Sequence, residues 1–288
     1  MNEFTPPAPS PPSQPTVIRD PWIGLRSLTP SRIALGRAGH ALPTREVLAA
    51  DEAHARARSA VHAPLDLDDL SGRLAAITKG TPPVRVCSAA PDRQRYLLRP
   101  DLGRRLSAES RSGLAALPLG PEGCDLAIVV ADGLSTTAVA RHAAPVIEAI
   151  LAGLPPACRL GPVVIASQAR VALGDEVGQL LKARLVAVLI GERPGLSCQE
   201  SLGIYLTWEP RPGRTDAERN CLSNIHPGGL SPADAATRLW WLAGEARRLC
   251  TTGVALKDRS GEPGRLGERR ASTPCTIAGG VGGATNER

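Results

Sequence analysis

The residues of this chain best equipped for chemistry follow directly on its apolar runs. Leu185-Val186-Ala187-Val188-Leu189-Ile190 is unbroken and apolar, and Gly191-Glu192-Arg193-Pro194-Gly195 comes immediately after it. A strand buried on both faces ends there in a turn that carries a carboxylate and a guanidinium. Asp125-Leu126-Ala127-Ile128-Val129-Val130 is a second run, followed by Asp132-Gly133-Leu134-Ser135-Thr136, and Pro162 to Ala166 is a third, followed by Arg170-Val171. In open parallel α/β sheets, ligands bind outside the carboxyl ends of the strands. If the sheet is parallel, these loops and Asn220-Cys221 converge on one rim. An acceptor at Glu192, a cation at Arg170, hydroxyls and a thiol suit a polar organic ligand or an interface. The bland readings stand beside this one: Glu192-Arg193 as a solvated turn, and Cys221 as a small buried hydrophobe.

No ready-made catalytic set accompanies the rim. The chain has no G-x-S-x-G, no H-E-x-x-H, no Walker sequence and no G-x-G-x-x-G after a strand, so the hydrolase, zinc-protease, nucleotidase and dehydrogenase readings lack their carriers. Gly36-Arg37-Ala38-Gly39-His40 lacks the Gly-Lys-Ser/Thr ending of a phosphate loop and reads as a turn into the first helix. His40, His54 and His62 are irregularly spaced and read as surface residues.

The elements that must position the rim are legible in outline. Residues 1–20, crowded with proline, read as a disordered lead-in. A helical region over 21–80 follows, with Thr44 opening one helix and Asp66 to Ile77 forming a second. Residues 81–257 read as an α/β domain. Val84–Cys87 and Tyr96–Leu98 are predicted as short strands, and Pro100 opens a helix through Leu106. Ser135 or Thr136 caps a long helix to about Leu154, and a shorter helix spans about Asp175 to Ala183. Gly203–Trp208 is a further strand, Arg219–His226 lies in a long loop, and Ser231-Pro232 starts a last helix to about Leu249. Residues 258–288 read as a disordered tail. The fold class is therefore α/β, Rossmann-like: a mostly parallel sheet with helices on both faces, behind a small helical N-terminal region.

Composition agrees. Of 288 residues, 42% are hydrophobic and only 2% aromatic, so the core is built from Ala, Leu, Val and Ile packed closely between helix and sheet. The net charge of +6 comes without a long basic block or any stacking or zinc-finger pattern, which argues against nucleic acid. Seven scattered cysteines without a C-x-x-C read as thiols in a reducing cytoplasm. No stretch has the length and apolarity of a membrane span or the pattern of a signal peptide.

Several stretches carry a resemblance. Gly36–Gly39, Arg99–Leu106, Val130–Thr136, Gly191–Leu196, Glu200-Ser201-Leu202 and Cys221–Gly229 resemble, in order, the small subunit of ethanolamine ammonia-lyase, over about Trp22 to Leu256. The resemblance implies an adenosylcobalamin-dependent lyase that converts ethanolamine to acetaldehyde and ammonia by a radical route. It also implies a large barrel subunit that binds the substrate, with the cofactor between the two subunits. Carried over residue by residue, it assigns cofactor contacts to Val171, Glu192 and Cys221, and no catalytic residue or metal ligand to this chain. A stand-alone flavodoxin-like module that binds a nucleotide or flavin is the alternative. Packaging in a bacterial microcompartment also belongs to the family, where members often begin with an amphipathic helix; this chain begins with prolines instead. Asn224-Ile225-His226-Pro227-Gly228-Gly229 has the spacing of D-x-H-x-x-G, by which other cobalamin proteins ligate cobalt. Asparagine replaces the carboxylate that would support such a histidine, and His226 is expected to be a loop or subunit-contact residue.

Overall fold

Uninterrupted apolar runs need cover on both faces, and a sheet with helices on each side supplies it. The computed structural model describes residues 16–261. Its six strands are β1 (Val84–Cys87), β2 (Cys124–Ala131), β3 (Leu160–Ser167), β4 (Ala183–Gly191), β5 (Leu202–Trp208) and β6 (Arg219–Ile225). They lie in the order β1-β3-β2-β4-β5-β6. The pairs β1–β3, β3–β2 and β2–β4 are parallel, while β4–β5 and β5–β6 are antiparallel.

Seven α-helices accompany them among the described residues: α1 (Thr44–His62), α2 (Leu67–Ile77), α3 (Arg93–Leu98), α4 (Ala108–Ala115), α5 (Thr136–Ala152), α6 (Leu173–Leu180) and α7 (Pro232–Leu249). Successive strand residues point to opposite faces, so each central strand feeds two cores. Leu126, Ile128, Leu185, Ala187 and Leu189 pack under α2, α5 and α7 through Leu74, Ile147 and Leu239. Ala127, Val129, Val186 and Val188 pack under α4 and α6 through Leu114, Leu173 and Val177. The α/β class, the largely parallel sheet and the helices on both faces agree with the sequence reading. None of the described helices is long and apolar enough to cross a membrane.

Side chains cap several of the helix starts, Ser135 among them as the sequence predicts. Asp66 accepts the N–H groups of Asp68 and Asp69, Ser135 accepts Ala138 N–H at 3.1 Å, and Ser231 accepts Asp234 N–H at 3.1 Å with Pro232 in the first turn. A serine, threonine or aspartate in this position satisfies one of the N–H groups that a helix start leaves without an internal partner.

Other expectations need correction. Tyr96-Leu97-Leu98 is not a strand but the end of α3, because the Asp92 carboxylate accepts Arg95 N–H at 2.7 Å and caps a helix there. Pro100 opens no α-helix: only a 3-10 turn forms at Leu102–Arg104, and Arg105 is extended. The helix comes later, as α4, capped by Ser107. α6 begins and ends earlier than read, and Ala183 already belongs to β4. Arg219–His226 is no loop; most of it is the edge strand β6. The sheet is mixed because only Glu192–Ser201 separates β4 from β5, too short a link for the crossover that a parallel neighbour requires.

The described chain forms two units: residues up to Ser59 with Gly195–Cys198, and Ala60–Pro194 with the residues from Gln199 on. The first contains most of α1 and a backbone pairing in which Ile18 and Arg37 exchange N–H···O bonds of 2.8 and 3.0 Å. The second contains the sheet. The stretches read as disordered lead-in and tail lie, up to residue 15 and from residue 262, outside the described residues.

Within the second unit α6 is tied to β6 by charge. Arg219 donates from Nη1 and Nη2 to the two carboxylate oxygens of Asp175, each at 2.6 Å, and also to Thr207 Oγ1 at 2.9 Å and Arg214 O at 3.0 Å. Both side chains of the pair are only 1% exposed. Burial raises the Asp175 pKa, and the bonds from Arg219 oppose that rise.

Candidate functional site

The carboxyl ends of β1, β2, β3 and β4 open on a cleft of about 280 Å³. Gly133 and Leu134 reach it from the loop after β2, Arg170 and Val171 from the loop after β3, and Glu192 and Arg193 from the turn after β4. Tyr96 and Arg104 enter from the segment after β1, and Tyr205 from β5. Of the rim read from the sequence, the loops after β2, β3 and β4 thus converge.

Asp132 builds the wall after β3. Asp132 is 4% exposed, and its carboxylate accepts the N–H groups of Gln168 at 2.8 Å and Ala169 at 2.9 Å, which holds Gln168 at φ +54°. Burial raises the Asp132 pKa; those two N–H groups and Arg93, at 3.5 Å, pull the other way. Arg93 also donates to Gly133 O at 2.8 Å, so one guanidinium joins α3 to the loop after β2. The Tyr96 ring lies between two cations, with Arg93 4.8 Å and Arg170 4.4 Å from its centroid. Its hydroxyl donates to Ala169 O at 3.1 Å, and burial pushes its pKa well above the ordinary tyrosine value. The Nε of Arg170 is buried without a hydrogen-bond partner.

The loops after β2 and β4 touch backbone to backbone. Leu134 N–H donates to Gly191 O at 2.9 Å, and a Cβ on Gly191 would stand 2.0 Å from Ser135 O. No side-chain rotation relieves a clash with a carbonyl. Gly191→Ala is therefore expected to destabilise the protein by about 3 kcal/mol, the upper end of ordinary overpacking, instead of gaining the small entropic benefit of a harmless Gly→Ala change. Chemical denaturation measures it; an unchanged midpoint would show that the junction yields.

Glu192 is held from two sides. Its carboxylate accepts the Ser201 hydroxyl, and Asn224 N–H donates to Oε2 at 3.3 Å. The side chain lies across Gly203, where a Cβ would come within 2.8 Å of Oε1. The acid thus ties the end of β6 to the β4–β5 connection while its side chain faces the cleft.

Cys221 is placed differently from the sequence reading. It does not follow a strand but lies inside β6, opposite Tyr205, which itself pairs with Val188 of β4. The Tyr205 and Cys221 side chains lie side by side on one face of the β5–β6 pair, and desolvation, with a smaller contribution from the Glu192 charge, raises the pKa of both although Cys221 itself is exposed. Cys221 therefore joins the cleft through Tyr205 and is not among its lining residues. Tyr205 was missed as a site residue although its signal was present: it alternates with Ile204 and Leu206 and so faces away from their core. Tyr96 and Arg104 offered no such signal.

His226 is occupied within its own loop. Gly228 N–H donates to Nδ1 at 3.1 Å, which leaves the proton on Nε2 to donate to Asn224 Oδ1 at 2.7 Å.

The family model of the ethanolamine ammonia-lyase light chain (EutC) matches residues 19–257. A protein named ethanolamine ammonia-lyase small subunit from Bradyrhizobium diazoefficiens is 52% identical over 259 residues, covering 88% of this chain and 98% of its own length. One of the same name from Rhodopseudomonas palustris is 53% identical over 251 residues, covering 87% and 95%. Another from Xanthomonas campestris pv. campestris is 54% identical over 249 residues, covering 85% and 90%. With the match running from the first unit through the whole sheet and last helix, this chain belongs to the ethanolamine ammonia-lyase light chain family.

Proposed function

We propose that this chain is the small subunit of an adenosylcobalamin-dependent ethanolamine ammonia-lyase, which converts ethanolamine to acetaldehyde and ammonia. It holds the cofactor against a large barrel subunit that binds the substrate. The observation that carries the reading is identity of about half over nearly the full length of relatives bearing that small-subunit name.

The residues present fit the cofactor. A corrinoid is several times larger than a cleft of about 280 Å³, which is already small for a drug-sized ligand. Such a cleft takes one edge of the molecule and leaves the rest to a partner. That edge bears neutral amides, which need acceptors and donors rather than a counter-charge. Glu192 would accept an amide N–H, and the peptide group of Val171 would offer a fixed polar contact. Cys221, opposite Tyr205 in the register of β5 and β6, would pack its sulfur or donate weakly. The buried, unpartnered Arg170 Nε marks polar capacity in the cleft that the described residues leave unused. When bound, the cofactor supplies the radical chemistry; this chain's part is to orient it and keep water out. Six free cysteines among the described residues support a reducing, cytoplasmic setting.

The test is cobalamin titration of the chain alone and of its complex with the large subunit. Tight corrinoid binding is expected only in the complex; flavin retained by the isolated chain would refute the reading. In the complex, Glu192→Gln is expected to weaken cobalamin binding by about 1.5–3 kcal/mol, the range for hydrogen bonds to a charged group. Equal affinity would reduce Glu192 to a structural tie between β6 and the β4–β5 connection.

A further inference from the structure

Many arginines among the described residues are paired: Arg99, Arg111, Arg141, Arg159, Arg214 and Arg219 each have a carboxylate within 4.0 Å, while others, such as Arg95, Arg105 and Arg238, are in none of the described ion pairs. Arg104, Arg170 and Arg193 line the cleft, and none of the described ion pairs includes them. Uncompensated cations around one concavity repel one another unless an anion comes between them. The same cleft holds only two carboxylates against these three guanidinium groups. Asp216 is shared with Arg219, whose Nε it approaches to 3.5 Å, and Glu192 accepts from the neutral Ser201 hydroxyl and Asn224 N–H, so the balance of the cleft stays positive.

Arg170 is also fixed in advance. Its N–H donates to Gly103 O at 2.8 Å, its guanidinium lies on the Tyr96 ring at 4.4 Å, and its Nε has no partner. A Cβ on Gly103 would come within 3.0 Å of Arg170 Cγ, so the glycine leaves the room this placement uses. The next residues open α6, whose N-cap Ala172 provides no side-chain cap. Its N-terminal dipole adds to the positive field on the same side.

Resting on the cofactor reading above, we propose that Arg104, Arg170 and Arg193 form an anion subsite for the phosphodiester of the cofactor's nucleotide loop. The corrin ring's own side chains are neutral amides, so this phosphodiester is the part of the molecule that three guanidinium groups would select. Glu192 and the arginines then divide the ligand between them, amides to the acid and phosphate to the bases.

The experiment uses the two-subunit complex and reads binding, not turnover. Cobalamin is compared with cobinamide, which keeps the corrin ring and its amides but lacks the nucleotide loop. Arg104→Gln, at an exposed position, and Arg170→Gln are each expected to weaken cobalamin binding about tenfold or more, the effect of one lost charge-assisted hydrogen bond. Cobinamide binding should stay within about twofold, and the salt dependence of cobalamin binding should become shallower in both variants. The salt slope remains informative where cobinamide binds too weakly to titrate. Equal losses for both corrinoids, an unchanged salt slope or unchanged cobalamin affinity would overturn the subsite while leaving the cofactor reading intact. Subunit dissociation in the variants would also overturn it, by assigning the arginines to acidic groups of the partner. Failure of the wild-type complex to bind cobalamin at all would instead defeat the cofactor reading.

Discussion

The isolated chain, supplied with adenosylcobalamin and ethanolamine, is expected to release no acetaldehyde, and the full activity should appear when the large subunit is added. A cleft of about 280 Å³, bordered by the open rim of the sheet, cannot enclose both a corrinoid and a substrate. Nor do its residues form a self-sufficient set of acid, base and substrate-orienting groups. Glu192 is tied to Ser201 and Asn224, Tyr96 and Tyr205 are held protonated by burial, and the Cys221 thiol is shifted away from thiolate. The tyrosines and the thiol hold and orient; they do not take protons from a substrate near neutral pH. A coupled assay for acetaldehyde checks this, and steady turnover by the single chain would refute the division of labour between the subunits.

The largest effect on stability is expected at Asp175. Asp175→Ala would leave the Arg219 guanidinium charged and 1% exposed, with its two strongest acceptors gone. Breaking a buried pair in this way costs about 3–5 kcal/mol, because the remaining charge keeps its desolvation penalty and loses its compensation. The damage would spread from α6 to β6 and β5, since the same guanidinium also bonds Thr207 and Arg214 O. Replacing both partners with apolar residues of similar volume, Asp175→Leu with Arg219→Met, is expected to recover much of the loss. Urea denaturation of the three proteins reads it directly. If the single variant lost less than about 1 kcal/mol, as an exposed pair would, the buried bridge would not be what fastens the two elements.

Much of the architecture was legible because it is local. Unbroken runs such as Leu126–Val130 and Leu185–Ile190 can be satisfied only between two covered faces, and Asp66, Ser135 and Ser231 each announce a helix through their own side chains. Chain order then puts the loops after β2, β3 and β4 on one side of the sheet, so Asp132, Val171 and Glu192 were recognisable as neighbours before any coordinate was known.

Tertiary structure alone decided the rest, and in each case the deciding partner is distant in the chain. Arg219–Ile225 is polar enough to read as loop, yet it is a strand because β5 offers an open edge and Asp175, 44 residues away, neutralises Arg219. Tyr96 looked like part of a strand, but the Asp92 cap and the enclosing Arg93 and Arg170 make it the buried end of a helix. Cys221 reaches the cleft through Tyr205, in a pairing set by the antiparallel register of β5 and β6. Hydrophobic periodicity and capping are written in neighbouring residues; strand order, register and the compensation of buried charge exist only once remote segments meet.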